Sequence, residues 1–448
     1  VKRQMILGIV MLCVLSVGSL LARAEDKTSL ELWLISTPIE GITEFFEEVS
    51  QRFEADKGCK IDIVWVARED MYNKLLTSVA AGVFPDIVID ILGQGIALSR
   101  RGVLVPVNDL VKEVGEDRFF KGILEMQRDP DGNYWALPIF SHPACFHFRK
   151  DWLQEAGVDT KYEQDSEGNW HVWAIDSWSD VLAVAQKVTK DTNGDGQIDR
   201  WGLGLQYART GDTFGWVSHL IYSFGGYIYD YKEKRVAFDS PETLEAVQLI
   251  SDLYNKYQVV PPDVTAWGEF ENNLYIQHPE QAKVAMVINS YSIVPWCQKN
   301  APEMVSKIGT APYPKARYRF RVEAGQAEAL LIFKTDKLNL SKQFARFMMD
   351  KDLQVKGIKL SGGYWSPCRS DVLADPYFEQ IPMEMRMAME NDKYLVSLGW
   401  PTSGMTPELA EVANSYILQD ITTRAAVDKW DAKSIVQEAT RLIEEIFE

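Results

Sequence analysis

The densest run of chemistry-bearing side chains is Asp191-Thr192-Asn193-Gly194-Asp195-Gly196-Gln197-Ile198-Asp199. Asp191, Asn193, Asp195 and Asp199 stand at positions 1, 3, 5 and 9 of a calcium loop, Gly196 supplies the sharp turn at position 6, and the Gln197 carbonyl serves position 7. Position 12 departs from the pattern, because Gly202 stands where a bidentate Glu belongs. A remote carboxylate such as Glu242 would have to complete the shell. The competing reading is an Asx-rich turn between a helix ending near Lys190 and a strand over residues 201–205. The sequence thus requires no cofactor and offers a structural calcium ion as its one candidate metal.

Reactive chemistry is otherwise sparse. No phosphate loop, dinucleotide glycine fingerprint, nucleophile elbow or paired-histidine zinc motif occurs. The five histidines are scattered, and His142 and His147 lie at an odd spacing across an expected strand, on opposite faces. The 64 acidic residues always allow some glycosidase-like carboxylate pair, so they say nothing on that point. The reading is a protein that is not an enzyme, with a secreted carbohydrate-active enzyme as the alternative from another class. Tryptophan stands out: there are 14, and Trp135, Trp216, Trp267, Trp365 and Trp400 fall at expected strand ends or in loops. An indole face stacks on the C–H face of a pyranose while hydroxyls take hydrogen bonds at the rim. For any one of them the plain alternative is a core residue with its N–H satisfied.

The elements that must hold these residues alternate strand and helix. Residues 30–35 read as a strand, Ile42, Phe45, Phe46, Val49 and Phe53 as one helical face, and residues 61–66 as a second strand. Tyr72, Leu75, Leu76 and Val79 mark the next helix and residues 86–92 a continuous apolar strand, as in a parallel sheet covered on both faces. Strands at 135–140 and 144–148 follow, then a helix through Val188 that opens on a Ser177–Asp180 capping box. Later helices begin at Ser240-Pro241 and Thr406-Pro407, and a last one at Ser434 with Gln437 three residues on. An α/β chain with sheets in both halves implies two lobes and a ligand cleft between them.

Lys and Arg number 47 against 64 Asp and Glu, a formal net charge of −17. Nucleic acid is excluded as a partner, since phosphate binding wants a basic patch, and a neutral or cationic small ligand suits the field better. Lys2 and Arg3 precede an apolar run over residues 5–22 and the small-x-small site Ala22-Arg23-Ala24, the pattern of a cleavable signal peptide over residues 1–24. The expectation is a periplasmic or secreted protein. It is not a lipoprotein, because Cys13 lies in the middle of the apolar run. Cys59, Cys145, Cys297 and Cys368 would then sit in an oxidising compartment, as one of three disulfide pairings or as buried thiols.

Several segments resemble the extracellular solute-binding proteins of ABC importers, most closely the sugar-binding branch, family 1, like the maltose-binding proteins. Residues 80–88, Ala-Ala-Gly-Val-Phe-Pro-Asp-Ile-Val, continuing to Gly102-Val103-Leu104-Val105-Pro106-Val107, are similar to that family's small-Gly-x-x-Pro-Asp and Gly-x-Leu-x-Pro-Leu segments. Tyr134-Trp135-Ala136-Leu137-Pro138, Phe148-Arg149-Lys150-Asp151-Trp152-Leu153 and Ser177-Trp178-Ser179-Asp180 resemble its passage from first to second lobe, with Phe148-Arg149-Lys150 where Tyr-Asn-Lys is usual. Lys283-Val284-Ala285-Met286, Asn289-Ser290-Tyr291 and Gly362-Gly363 to Pro367 extend the likeness over essentially the whole mature chain.

The resemblance implies an α/β two-lobe periplasmic-binding-protein fold, with residues 25–141 and 314–350 in the N-terminal lobe and 142–313 and 351–448 in the C-terminal lobe. Crossings would fall near residues 140–145, 309–314 and 349–352. It implies a secreted binding component, a monomer, that captures a sugar or oligosaccharide in the cleft and hands it to the permease subunits of an ABC importer; a polyamine or peptide carrier is the alternative. The ligand residues it suggests are Thr37, Glu40, Arg68, Asp90, His142, Asp212, Trp216, Trp267, Tyr291, Trp365 and Trp400. Thr37 and Glu40 also fit a capping box around Pro38. Gly225-Gly226 would let backbone amides approach the ligand.

Overall fold

A computed structural model describes residues 29–37, 39–90, 93–323, 327–402 and 404–448. The expected signal segment, residues 1–24, lies outside the described residues. The side chains of Arg68 and Asp90 also lie outside what is described.

Leu30, Leu32 and Leu34 point to one face of the strand Ser29–Ile35 and Trp33 to the other, as a period of two requires. Under the leucines lies the helix Glu40–Lys57 with Phe45, Phe46, Val49 and Phe53 turned inward. Trp33 packs on the opposite face with Met71 and Leu75 of the helix Arg68–Ala80. Each such side chain taken out of water contributes about 1.5–3 kcal/mol, so the alternation fixes both layers. The first sheet runs in the order Lys60–Val66, Ser29–Ile35, Ile87–Asp90, Ala327–Ile332, Leu137–Ser141. Its first three strands are parallel, and Ala327–Ile332 runs against both neighbours. That strand returns from the other lobe, so it enters at the end where its parallel neighbours finish.

The second sheet has the order Ile308–Ala311, Ala144–Arg149, Val284–Ser290, Trp201–Leu203. Ser177 and Asp180 form the expected capping box at the head of the helix Trp178–Val188, and Ser240 and Thr406 cap the helices Pro241–Asn255 and Pro407–Asn414. The last helix spans Ala432–Phe447 and opens on Asp431, whose carboxylate accepts the Ser434 N–H, so it starts before the expected Ser434.

The chain leaves the first sheet at Ser141 and joins the second at Ala144. It returns between Ala311 and Ala327. The third crossing corrects the expected boundary at 350–351. The helix Lys351–Leu360 buries Leu353, Val355 and Ile358 and packs on Glu40–Lys57, with Gly357 against Phe140 and Phe45. Cys368 donates its thiol to the Pro138 carbonyl at 3.3 Å, still in the first lobe. Of the helices from Lys351 onward, Met383–Glu390 is the first to pack on the second sheet. An apolar helix face that matches the first lobe thus outweighs the crossing position carried over by resemblance.

Cys59, Cys145, Cys297 and Cys368 are all free thiols, three buried and Cys59 half-buried. Among the described residues no helix is long and apolar enough to cross a membrane.

Candidate functional site

In open α/β sheets, ligands gather outside the carboxyl ends of the parallel strands. In the first lobe those ends carry Thr37, the backbone of Arg68 and Asp90, and Glu328 from the antiparallel strand. In the second they carry Asn289 to Tyr291, Gln206 and the N-terminus of the helix Gly211–Phe224. Residues 141–144 join the two sets, which therefore face one cleft with the crossing segments as its floor.

A buried ion pair ties the three crossings together. The Arg321 guanidinium, fully buried, donates to the Asp392 carboxylate and to the His142 carbonyl. Ser141 and Ser366 donate their hydroxyls to Asp392 at 3.3 and 2.5 Å. Next to it Asn391 donates to the Ala144 carbonyl at 2.6 Å and accepts the Tyr313 N–H at 2.9 Å. Breaking one member of such a pair costs about 3–5 kcal/mol, so these bonds fix where the crossings meet.

His142 donates or accepts through Nε2 at 3.2 Å from Glu328 Oε1 and lies edge-on to Tyr364, ring centroids 4.8 Å apart. The Trp365 indole N–H donates to the same Glu328 oxygen at 3.0 Å. On the facing wall Asp212, in the first turn of Gly211–Phe224, accepts from the Asn289 amide at 2.7 Å and the Asn272 amide at 2.9 Å. Glu269 takes the Gly211 N–H at 2.7 Å. One turn on, a Cβ at Gly215 would meet nothing within 4 Å. The stripe of this helix open to solvent is thus Gly211, exposed, with Asp212 and Gly215, half-buried.

The lobes touch near the N-terminus of the helix Glu40–Lys57. Glu40 lies 3.6 Å from Lys299, both exposed. Gly363, at φ 89, fits so closely that a Cβ would stand 3.2 Å from the Tyr291 ring and 2.9 Å from the Met385 methyl. Only glycine combines that backbone with that approach.

Several expected residues land elsewhere. Ile39, not Thr37, is the N-cap of Glu40–Lys57, and the Thr37 hydroxyl accepts the Ile39 N–H at 3.2 Å. The capping box therefore does not form. Trp216 is 1% exposed, packs against Tyr207 and donates its N–H to the Gln206 carbonyl at 2.9 Å, so it is core rather than platform. Trp365 is fully buried and stacked on Phe140, with centroids 4.2 Å apart; only its N–H reaches the cleft carboxylate. Trp267 is buried against Tyr275 and Lys283, and Tyr291 is buried beneath Gly363. Gly225 is the left-handed C-cap of its helix, and Gly226 is pressed against Thr243, so neither opens the backbone to a ligand.

Trp400 is different. Half-buried, it gathers Phe320, Tyr318 and Tyr227 at centroid distances of 4.7, 5.8 and 6.3 Å, and Tyr318 is 46% exposed. The cluster packs at the C-terminal end of the helix Gly211–Phe224, where Tyr222 lies 6.2 Å from Trp400 and a Cβ at Gly225 would stand 3.3 Å from Tyr318; a few residues on, Gly404 abuts the Arg128 and Glu125 carbonyls and Glu408 pairs with Arg100 at 2.5 Å.

In the Asp191 loop the acidic side chains take backbone amides in a series of Asx turns. Asp191 accepts from Asn193, Gly194 and Gly196 N–H groups at 3.1, 2.7 and 2.7 Å, which holds its carboxyl below the usual range. Asn193 accepts from Asp195 N–H, Asp195 from Gln197 N–H, and Asp199 from Thr192 N–H. Glu242 pairs with Arg317 instead of reaching the loop. Among the described residues no three His, Cys, Asp or Glu side chains are placed to hold a metal ion.

Cys145 Sγ lies 3.2 Å from His147 Nε2, a pairing that sequence spacing did not suggest. Burial raises the thiol well above its ordinary value and lowers His147 to about 4. A nucleophile needs the opposite shifts and access, so this pair is core.

Two α/β lobes joined by three crossing segments, with polar side chains at the carboxyl ends of both sheets, define a clamshell solute-binding fold. The family model for bacterial extracellular solute-binding proteins matches residues 38–355, and the chain belongs to that family. A protein of Escherichia coli (strain K12), provisionally named as an ABC transporter periplasmic-binding protein, is 21% identical over 450 residues, 95% of each chain. An arabinooligosaccharide-binding protein of Halalkalibacterium halodurans is 22% identical over 70% of this chain and 65% of its own. The solved ABC transporter solute binding protein of Thermotoga lettingae TMO, bound with alpha-D-tagatose, shares the fold at TM-score 0.75 and 20% identity, covering 94% of this chain and 100% of that one. These relatives are binding proteins rather than enzymes.

Proposed function

We propose that this chain is the exported binding component of an ABC importer, that it holds a sugar or oligosaccharide between its lobes, and that it delivers the ligand to a membrane permease. The observation that carries the reading is the pair of polar groups at the carboxyl ends of the two sheets, Glu328 on the first lobe and Asp212 with Asn272 and Asn289 on the second, with the half-buried Trp400 among Tyr318, Phe320 and Tyr227 as the aromatic supply. Aromatic faces take the C–H side of a sugar ring, and carboxylates are the strongest acceptors for its hydroxyls. The names of the relatives, which bind arabinooligosaccharide and tagatose, point the same way.

The mechanism is an equilibrium between open and closed forms. To move the lobes from about 1:99 to 99:1 closed, a ligand must favour the closed form by roughly 5.5 kcal/mol. Contacts to one lobe alone shift nothing, because they are present in both forms. Glu328 and Asp212 stand on opposite walls, so a ring held by both gains its second set of bonds only on closure. A thermal-shift screen of mono- and oligosaccharides, polyamines and amino acids tests the reading. A sugar at a hundred times Kd stabilises by about 2.7 kcal/mol; a shift with polyamines or amino acids and none with sugars would overturn it.

A further inference from the structure

Glu328 was not singled out by sequence, and its setting is unusual for a carboxylate. Its side chain is 13% exposed, and among the described residues no Lys or Arg pairs with it. Both of its hydrogen bonds fall on one oxygen, Oε1: from His142 Nε2 at 3.2 Å and from the Trp365 indole at 3.0 Å. Trp365 is itself immobilised, fully buried and stacked on Phe140 at an interplanar angle of 5°. The carboxylate is therefore held through one oxygen near the carboxyl end of the first sheet, and Oε2 has no hydrogen-bond partner among the described residues. A partly buried carboxylate oxygen without a donor gains by accepting one. What compensates it is a hydroxyl or ammonium donor, and what it repels is a second anion. Asp212 and Glu269 are the carboxylates at the head of the helix Gly211–Phe224 on the second lobe.

We propose that Glu328 is the specificity-determining residue that restricts the cleft to neutral and amino sugars and rejects sugar acids and sugar phosphates. The inference rests on the sugar-binding reading above. Glu328 accepts ligand hydroxyls through Oε2, and the Trp365–His142 clamp keeps it from turning aside to admit an acidic substituent. Charge thus sorts ligands of the same ring shape.

Isothermal titration tests this with matched sets: glucose, glucosamine, glucuronate and glucose 6-phosphate, the galactose counterparts, and di- to tetrasaccharides of each kind. In the unaltered protein at low ionic strength, each acidic member is expected to bind at least tenfold more weakly than its neutral counterpart. In E328Q the ratio is expected to fall to threefold or less, whereas a merely structural role would weaken both members alike. An acidic member that binds as tightly as its neutral counterpart in the unaltered protein overturns the proposal, whether or not E328Q folds. So does a folded E328Q with an unchanged ratio. A heat signal from acidic sugars alone overturns the charge rule and leaves the sugar reading standing; no signal from any sugar removes both.

Discussion

Trp365 and Trp400, both candidate ligand residues, sit in different surroundings. Trp365 is enclosed by Phe45, Phe46 and Phe140 and offers the cleft only an N–H, spent on Glu328. Trp400 keeps part of its surface open among Phe320, Tyr318 and Tyr227. The difference teaches that a tryptophan near a ligand site acts either as scaffold for a polar group or as a stacking face, and that burial decides which.

The comparison breaks first through Trp365. W365A removes a fully buried indole and is expected to cost about 3–5 kcal/mol in a denaturant titration; a loss below 1 kcal/mol would mean that the ring is not scaffold. Acid separates the lobes next. His147 and His219, both in the second lobe, are lowered to about 4 and about 3, in each case chiefly by burial. Unfolded histidine titrates near 6.5, so below that pH the unfolded chain binds more protons than the fold does. Stability is therefore expected to drop as pH falls from about 6.5 to about 4, by up to about 1.4 kcal/mol per pH unit for each histidine. Hydrogen exchange should show the second lobe loosening first, and H147Q should flatten the slope.

W400A sharpens the contrast from the other side. It is expected to cost about 1–2 kcal/mol of stability, since the ring is only half-buried, and to weaken oligosaccharide binding about tenfold or more, measured by titration. Unchanged affinity would take the stacking role from the cluster. The smallest effect is expected at the Asp191 loop, where the carboxylates are already satisfied by backbone amides: a chelator should leave the melting temperature unmoved, and a drop of several degrees with calcium recovered from the protein would restore the calcium site.

What the sequence disclosed follows from periodicity. The leucines and phenylalanines of residues 30–53 alternate at strand and helix spacing, and the caps at Ser177, Ser240 and Thr406 are local signals, so these elements were legible. Asp212 and His142 were suggested by the family likeness; in the structure Asp212 accepts from Asn272 and Asn289, and His142 meets Glu328. Glu328 was not: it sits in an apolar strand, and its meaning comes from Trp365 and His142, 37 and 186 residues away. Gly215 gave no signal either, because an absent side chain reads as helix weakness until the space beside it is seen. The third crossing was misplaced because the resemblance carried a boundary, whereas the packing of Leu353, Val355 and Ile358 on the first lobe decides it.

The most direct test of the whole account is a titration of the purified mature chain with neutral di- to tetrasaccharides, followed by chromatography of the recovered sugar. One molecule bound per chain and returned intact is the predicted result. No binding to any of them, or recovery of cleaved sugar, would contradict it.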